Sequence, residues 1–348
     1  MMLKTSPLSQ DAYEAARRQW DAVAKPLHSL GLLEDMIAQI AAIQGTADVA
    51  LLPRCVLVFC ADHGVVAQGV SQSGPEVTAL VAKALAEGRS NVNLLAAAAQ
   101  AQVFAVDMGM LQPVAGLTDC RQGPGTADFT LGPAMTRAQA ERALQAGMDQ
   151  VGRLKKQGFR LIATGEMGIG NTTAAAALAC ALLNEAPEKM TGRGAGLSDE
   201  GLKRKLSAIR RALTVNRPDP ADPVDALAKV GGFEIAGMAG AFLGGAVYGV
   251  PLVIDGVISA AAALIAARIC PEAKEYMLPS HESRSPAAQA LLAALGLRPV
   301  LRAEMALGEG TGAVMLFPLL DMACRLYSGT HTFDSLGIEA YQPQEGRP

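Results

Sequence analysis

The stretch LIATGEMGIGNTTAAAALACALL, residues 161–183, contains the sharpest local signal of the chain, because an apolar strand passes through a glycine-rich turn into a strong helix. Gly165, Gly168 and Gly170 lead into a run of alanine and leucine that predicts a helix. Small residues let a backbone approach an anion, and a helix N-terminus supplies free N–H donors and a favourable dipole. The stretch therefore predicts an anion-binding turn, and a tight turn capped by Thr172 is the simpler alternative.

The turn lacks two common nucleotide signatures. No Gly-Lys-Ser/Thr follows it, so it is not a Walker A loop. It also lacks the G-x-G-x-x-G spacing with an acidic residue about twenty positions on that marks dinucleotide-binding proteins. Neither an NTPase nor a dehydrogenase is indicated.

Similar apolar runs recur along the chain, separated by alanine- and leucine-rich segments with helical spacing. They lie at 56–62, 103–109, 159–168 and 251–256, with weaker candidates at 274–279 and after Arg298. This alternation predicts βαβ units and a parallel sheet of about six strands. The runs end in Asp62-His63-Gly64, Asp107, Gly165-Glu166, Asp255-Gly256, Ser280-His281 and Glu309-Gly310. Because the carboxyl ends of parallel strands line a ligand crevice, we expect these endings to converge, although each alone could simply terminate a strand.

Proline or glycine residues interrupt both the N-terminal region and one long apolar segment. Residues 9–24 and 30–44 predict two helices separated at Lys25-Pro26. Residues 237–254 are apolar enough to span a bilayer, but Gly249 and Pro251 interrupt them. A buried helix followed by a buried strand is therefore the preferred interpretation.

Composition limits the class of protein. Of 348 residues, 50% are hydrophobic, and the net charge of −3 comes with dispersed basic residues. These values predict a large folded core and indicate neither nucleic acid nor a membrane surface as a partner. The N-terminus lacks the apolar region of a signal peptide, and the six cysteines form no C-x-x-C pair. We therefore expect reduced thiols in a cytoplasmic protein, and the histidine spacing predicts no metal site.

Two more glycine strings precede helices. In TGRGAGLSDEGLKRKL, residues 191–206, a lysine beyond the glycines could form a second wall of a phosphate site, whereas a solvated helix face would explain most of the cations. In ALGEGTGAVMLFPLL, residues 306–320, Glu309 lies between Gly308 and Gly310 and could press against a ligand. A carboxylate stabilised by the helix dipole is the equal alternative.

The ordered motifs together resemble one family. They are ADHG at 61–64, TGEMGIGNTT at 164–173, GRGAGLSDEGLKRK at 192–205, VGGFEIAGMAGAFLGGA at 230–246, VIDGVISAAAALIAARI at 253–269 and LGEGTGAVMLFPLLDMA at 307–323. That family is nicotinate-nucleotide–dimethylbenzimidazole phosphoribosyltransferase, from the lower-ligand branch of cobamide synthesis. The resemblance implies a Rossmann-like α/β domain at 49–319 with flanking helices. It also implies a small helical domain formed by 1–48 and 320–348, and a dimer that is homomeric or heteromeric.

The resemblance also implies substrates and site residues. The substrates would be nicotinate mononucleotide and an aromatic base such as 5,6-dimethylbenzimidazole, with no cofactor and no metal. Glu309 resembles the general base, and Glu166 would lie near ribose C1′. The residues expected to bind phosphate and nucleotide are Gly168, Gly170, Asn171, Thr172, Lys205, Ser283 and Gly310. Those expected to bind the base are Ser71, Asp62 and Leu307.

Two segments depart from the family pattern, and both belong to the expected acceptor region. The family carries S-x-Y-P-Q-x-V-T where residues 71–78 read SQSGPEVT, and Gly-Gly-Ala-Ala-Ile-Asn-Val near the segment 87–93, which reads EGRSNVN. These departures suggest a different or broader acceptor, such as a purine or a phenol, in a paralogue that could pair with a second chain. A non-catalytic nucleotide-binding subunit is a further alternative, but an intact Glu309 argues against it.

Overall fold

A six-stranded parallel sheet forms the centre of the computed structural model, which describes residues 3–342. The strands are β1 (Arg54–Ala61), β2 (Ala101–Gly109), β3 (Thr118–Asp119), β4 (Leu161–Met167), β5 (Leu252–Ile254) and β6 (Met277–Pro279). Their order across the sheet is β3-β2-β1-β4-β5-β6, and every neighbouring pair is parallel. This is the doubly wound order of a Rossmann sheet, so the predicted fold class is confirmed.

Helices connect the strands and cover both faces of the sheet. They are α1 (Gln10–Ala22), α2 (Leu32–Gln44), α3 (Glu76–Ala86), α4 (Asn91–Ala98), α5 (Arg137–Lys156), α6 (Asn171–Leu183), α7 (Pro187–Met190), α8 (Asp199–Asn216), α9 (Pro223–Val230), α10 (Phe233–Tyr248), α11 (Val257–Ile269), α12 (Ala287–Leu295), α13 (Thr311–Gly329) and α14 (Phe333–Leu336). Short 3-10 helices occupy Gly64–Gln68 and Pro271–Tyr276. The two helices predicted near the N-terminus are therefore present as α1 and α2.

The weakest strand predictions were partly wrong. The segment after Arg298 forms no strand, and only a single bridge joins Leu301 to His281. Residues 274–276 belong to a 3-10 helix, so β6 is shorter than predicted. The two residues of β3 were not predicted, because a strand of that length has no measurable periodicity.

Side chains of β1 alternate between two apolar cores. Cys55, Leu57 and Phe59 join the core beneath α5, α6, α10 and α11, whereas Val56 and Val58 join the core beneath α2, α4 and α13. All of these side chains are fully buried. Because successive strand residues point to opposite faces, a strand that is apolar throughout requires a helical layer on each side.

The apolar segment 237–254 is a helix followed by a strand, as preferred from the sequence. Its glycines allow α10 to lie directly against α5: a Cβ on Gly240 would come within 1.9 Å of the Leu144 carbonyl oxygen, and one on Gly147 within 1.9 Å of the Gly237 oxygen. Across residues 3–342, no helix has the length and apolarity needed to cross a membrane.

The N-terminal helices pack against the end of α13. The Trp20 ring is fully buried, and its centroid lies 5.0 Å from that of Tyr327. These side chains share one apolar core with Val56 and Leu161 of the sheet. Helix α13 is continuous across residue 320, where a separate helical domain was predicted to begin, and residues 1–2 and 343–348 of that predicted domain lie outside the described residues. The division into two domains remains a prediction.

Candidate active site

A cavity of about 300 Å³, here called the main cavity, opens at the carboxyl ends of β4, β5 and β6. It is lined by Val81 of α3 and by residues of five segments: 166–172, 194–195, 255–259, 281–285 and 305–312. The strand order reverses between β1 and β4, and ligands of doubly wound sheets bind at such a switch point. The predicted convergence of strand endings on one site therefore holds for Glu166, Asp255, His281 and Glu309.

Other strand endings serve the fold. The Asp107 carboxylate accepts hydrogen bonds from the N–H groups of Gly109 and Met110, both at 2.9 Å, and so closes the turn after β2. His63 Nε2 lies 2.7 Å from Glu234 Oε1 in a pair whose side chains are fully buried. Neither Asp107 nor His63 lines the main cavity. For these endings the simple structural interpretation was correct.

Glu309 reaches the main cavity from a left-handed turn. Its φ is 62°, and those of Gly308 and Gly310 on either side are 90° and 93°. The carboxylate is buried: Oε1 accepts from Asn91 Nδ2 at 2.9 Å and Oε2 accepts from Val92 N–H at 3.2 Å. Although Glu309 precedes α13, its carboxylate is held by the first residues of α4. The alternative of a carboxylate stabilised by its own helix therefore does not describe these contacts.

Glu166 lies at the end of β4 and faces the Glu309 turn. Its side chain is buried and accepts a hydrogen bond from the Asn171 amide. Burial raises the pKa of Glu166 well above its usual value, and the nearby carboxylates of Asp255 and Glu234 raise it further. A Cβ on Gly308 would lie 2.8 Å from Glu166 Oε1, so the glycine lets the two carboxyl-bearing segments meet.

The predicted anion-binding turn lies between β4 and α6. Gly170, with φ of 100°, is the residue at the N-cap of α6, so Thr172 is not the cap that the simpler alternative predicted. A Cβ on Gly168 would lie 2.4 Å from the Ala61 carbonyl oxygen, and one on Gly170 would lie 3.0 Å from His63 Cβ. Packing against the end of β1 is therefore sufficient to require small residues here. The turn still presents the N-terminus of α6 to the cavity wall.

Lys205 lies beneath this turn. Its ammonium donates to Thr172 Oγ1 at 2.7 Å, while the side chain is only 1% exposed. None of the ion pairs formed within residues 3–342 includes it. Burial accordingly lowers its pKa from 10.5 to about 8. A buried lysine without a carboxylate partner, beside a helix N-terminus, is suited to an anionic ligand.

The two cations next to Lys205 behave as the solvated-face alternative predicted. The Lys203 side chain is 70% exposed and pairs with Glu200 at 2.8 Å. Arg204 donates to the Gly69 carbonyl oxygen at 3.1 Å on the surface. Only Lys205 of this basic run turns inward.

Comparison with known proteins identifies the family. A family model described as phosphoribosyltransferase matches residues 5–338. A nicotinate-nucleotide–dimethylbenzimidazole phosphoribosyltransferase from Acetivibrio thermocellus is 42% identical over 339 residues, which cover 97% of each chain. The chain belongs to the nicotinate-nucleotide–dimethylbenzimidazole phosphoribosyltransferase family.

Further relatives agree in sequence and in fold. The Escherichia coli protein of the same name is 42% identical over 331 residues, covering 94% of this chain and 92% of that one. The crystal structure of CobT from Thermus thermophilus aligns with this structure with a TM-score of 0.89 and a sequence identity of 43%. The alignment covers 94% of this chain and 99% of that one. The resemblance stated from six sequence motifs is thereby confirmed across the chain.

The residues expected to bind nucleotide in this family lie around the main cavity. Gly168, Asn171, Thr172 and Ser283 line it. Ser283 is buried, and its Cβ lies 3.7 Å from the position that a Cβ on Gly256 would take. Gly170 and Gly310 form the backbone on which two of these segments turn.

The residues expected to bind the base lie in three different parts of the structure. Leu307 lies at the rim of the main cavity and is 58% exposed. Ser71 lines a smaller cavity of about 70 Å³, here called the side cavity, on which Arg193 also lies and which shares the 168–172 turn. Asp62 lines neither cavity: its Oδ2 accepts from Leu111 N–H at 2.8 Å, and burial raises its pKa.

Three residues of this site received no role from the sequence, although Asp255 and His281 were among the strand endings expected to converge. Asp255 lines the main cavity, accepts from Ala313 N–H at 2.9 Å, and has a pKa raised by burial. His281 also lines it, and burial lowers the pKa of its imidazole. Their positions at strand ends were a usable signal. Asn91 gave none, because only the fold brings α4 to Glu309.

Metal ligation has no support in the part of the chain that the structure describes. There, no group of three or more histidine, cysteine, aspartate or glutamate side chains could hold a metal ion. The carboxyl groups of the site instead face the main cavity together with an imidazole and a helix N-terminus.

Proposed function

We propose that this protein transfers the 5-phosphoribosyl group of nicotinate mononucleotide to 5,6-dimethylbenzimidazole or a related aromatic base, releasing nicotinate and forming α-ribazole phosphate or its analogue. The product would serve as the lower-ligand precursor in cobamide synthesis. Membership of a family whose relatives carry this activity in their names supports the proposal. The observation that carries it is Glu309, a buried carboxylate that lines the same cavity as Thr172, to which the Lys205 ammonium donates.

Charge and geometry support a division of the main cavity into two ends. The phosphate of the mononucleotide would bind at the 168–172 turn, where α6 begins and Lys205 donates to Thr172. The ribose would then extend towards Glu166, with Ser283 and Gly310 along its path. The acceptor base would lie near Glu309 and Leu307 at the other end of this cavity. Ser71 lines the side cavity instead, and Asp62, which lines neither cavity, would act only through its bond to Leu111.

The proposed chemistry matches the acid–base properties of the site. Nicotinate in the mononucleotide is an N-linked pyridinium, so it leaves C1′ as a neutral ring and needs no acid. The imine nitrogen of the acceptor forms the new bond to C1′ from the opposite face as the old C–N bond breaks. The other N–H of the acceptor becomes acidic, and Glu309 takes that proton and later loses it to solvent.

Glu166 would stabilise the positive charge that develops at C1′. In the ligand-free protein its raised pKa favours the protonated form. A bound pyridinium ribose brings positive charge to the same place and would favour the carboxylate. The reaction therefore requires neither a metal nor a redox cofactor, and much of its rate would come from aligning the two rings.

The test is turnover by the purified chain with nicotinate mononucleotide and each candidate acceptor, followed as nicotinate release and as glycoside by mass spectrometry. Glu309→Gln is expected to lower kcat about 100-fold or more while leaving mononucleotide binding nearly unchanged. Glu304→Gln is the matched control, because that exposed glutamate belongs to the same loop. Equal activity of the wild type and Glu309→Gln would contradict the mechanism.

Two segments of the sequence bear on which aromatic base serves as the acceptor. The departures at 71–78 and 87–93 suggest a different or broader acceptor choice, such as a purine or a phenol, and phenol, p-cresol and adenine are the acceptors to compare with dimethylbenzimidazole. With a phenol, Glu309 would remove an O–H proton and the product would be an O-glycoside. A competition assay among these acceptors decides the matter, and strong preference for dimethylbenzimidazole would end the altered-acceptor hypothesis.

We propose in addition that the protein is a cytoplasmic dimer, formed with itself or with a paralogous chain. Met315 and Met322 are exposed and lie seven residues apart on one face of α13, which supports a covered apolar surface. All six cysteines are free thiols, as expected in a reducing compartment. Light scattering coupled to size-exclusion chromatography tests the dimer, and a monomeric mass would contradict it.

A further inference from the structure

Two donors at the start of α4 hold the Glu309 carboxylate. The side chain of Asn91 donates to Oε1 at 2.9 Å, and the N–H of Val92 donates to Oε2 at 3.2 Å. The first turn of α4 is fixed separately by a capping box, in which Ser90 N–H donates to Asn93 Oδ1 at 3.2 Å and Asn93 N–H to Ser90 Oγ at 3.4 Å. The Asn91 amide is therefore not needed to cap its own helix.

We propose that Asn91 is a positioning residue for the transfer reaction: its side-chain amide orients Glu309 and stabilises its anionic form for proton removal from the acceptor. This inference rests on the proposed function. It assigns a role to a residue of the 87–93 segment, one of the two segments in which the chain departs from the family pattern.

The backbone of Glu309 makes such a restraint necessary. A non-glycine residue with φ of 62° is strained, and strained backbones persist when surrounding contacts fix them. On one side, Asp255 accepts from Ala313 N–H at 2.9 Å and holds the first turn of α13. On the other side, α4 holds the Glu309 side chain itself. Within residues 3–342, removal of Asn91 therefore leaves the carboxylate with the backbone donor of Val92 as its remaining hydrogen-bond partner.

The charges around Glu309 also give the Asn91 amide a chemical role. Glu166 from β4 and Asp255 from β5 face the same cavity, and burial raises the pKa of each, so both favour the neutral form in the ligand-free protein. His281 from β6 is the titratable base among these groups, and burial lowers its pKa so that it favours the neutral form. The two N–H donors and the N-terminus of α4 are thus the described groups that favour a charged Glu309.

The first test is a pH profile of kcat/KM for the acceptor at saturating nicotinate mononucleotide. Asn91→Ala is expected to lower kcat about 10-fold with KM for the mononucleotide within twofold, because it removes one hydrogen bond to a charged group. Loss of a donor to a carboxylate favours its protonated form, so the acidic limb of the profile should move to higher pH. Asn91→Asp should move it further, since a negative charge replaces the donor.

Asn93→Ala is the matched control. It breaks the capping box of the same helix without removing a bond to Glu309, so it should lower the melting temperature and leave the acidic limb in place. If Asn91→Ala and Asn93→Ala reduce kcat equally and neither moves the limb, Asn91 has only a structural role and the inference is overturned.

A second measurement is independent of turnover. The carboxyl carbon of Glu309, labelled with ¹³C and assigned through Glu309→Gln, can be titrated by NMR in the ligand-free wild type and in Asn91→Ala. A midpoint that moves to higher pH in the variant supports the inference, and an unmoved midpoint overturns it. If the midpoint moves but the wild type transfers no phosphoribose to any acceptor, the contact between Asn91 and Glu309 is confirmed, whereas the proposed function fails and with it the role of this contact in transfer.

Discussion

Replacement of Lys205 with methionine is expected to stabilise the ligand-free protein and to weaken its binding of nicotinate mononucleotide. Methionine has a similar length and no charge, so it fills the same buried space beneath the 168–172 turn. The two effects have one origin, because the ammonium is buried with no partner other than the Thr172 hydroxyl among the described contacts. A charged ligand-binding group that is buried without its ligand lowers the free energy of unfolding.

The size of the stabilisation follows from the shifted pKa. Burial lowers the pKa of Lys205 from 10.5 to about 8, and a difference of about 2.5 units corresponds to about 3 kcal/mol of unfavourable burial. The Thr172 hydroxyl loses its donor in the variant, which offsets about 1 kcal/mol. The net gain of about 2 kcal/mol corresponds to a rise of about 3 °C in melting temperature for a chain of 348 residues.

The stability difference between Lys205→Met and the wild type should depend on pH. Because the folded pKa of Lys205 lies below the unfolded value, folding disfavours the protonated form. The cost is fully present below about pH 8 and disappears as the pH rises from there towards 10.5. The advantage of Lys205→Met in urea unfolding should therefore be greatest near pH 7 and smaller near pH 9.

Ligand binding should change in the opposite direction. Loss of one charged hydrogen bond to the phosphate is expected to raise the Kd for nicotinate mononucleotide about 10- to 100-fold in calorimetry. Above pH 8 the wild-type Kd should rise by up to about tenfold per pH unit, because the free Lys205 must take up a proton, whereas the variant should show no such rise.

Lys203→Met provides the control, since that lysine is 70% exposed on the same helix. Its stability and Kd should stay within about 0.5 kcal/mol of the wild type. A Lys205→Met variant that melts below the wild type at pH 7, or whose Kd differs from that of the wild type by less than twofold, would contradict this role of the buried ammonium.

Three further substitutions test other contacts. Gly312→Ala would place a Cβ 2.1 Å from His281 Cε1, so we expect a loss of about 1–3 kcal/mol in urea unfolding and a clear fall in turnover; unchanged values for both would contradict the packing. Glu166→Gln should gain stability over the wild type as pH rises above 4.5, because the raised folded pKa makes ionisation of the wild-type carboxyl costly; urea titrations at pH 5 and 8 that give equal differences would disprove this. Asp321→Asn breaks the pairing of Arg54, which is 1% exposed and donates twice at 2.7 Å, and should cost about 2 kcal/mol by thermal unfolding; a neutral result would show that Ala99 alone satisfies the guanidinium.

The sequence alone predicted the parallel sheet and the family. The apolar runs of β1, β2 and β4 are long, and each ends at a polar or glycine residue, so local periodicity identifies them. The glycine strings also indicated Glu309 and a lysine among residues 203–205 as candidate site residues, and the family resemblance added Glu166 and selected Lys205. Apolar runs and glycine strings can be recognised in the sequence because each consists of neighbouring residues with a fixed spacing.

Other features depended on tertiary structure. The two residues of β3 pair with β2 only because the fold brings them there. The residues after Arg298 were predicted to form a strand, but in the fold a single bridge is their contact with the edge of the sheet. Asp62 follows β1 in sequence, yet its carboxylate turns to Leu111 and away from both cavities. Local patterns describe a strand but not the direction of the side chain that follows it.

The partner of Glu309 shows most clearly what the sequence by itself could not decide. The sequence placed a glutamate between two glycines before a helix and left open whether that helix stabilises it. In the folded chain the carboxylate is held by Asn91 and Val92, more than two hundred positions away, at 2.9 Å and 3.2 Å. Residue types and spacing thus determined which chemical groups the site contains, whereas packing of α4 and α13 against the same face of the sheet determined which donor meets which acceptor. Hydrogen bonds depend on distance in space, and sequence spacing fixes that distance only within one element.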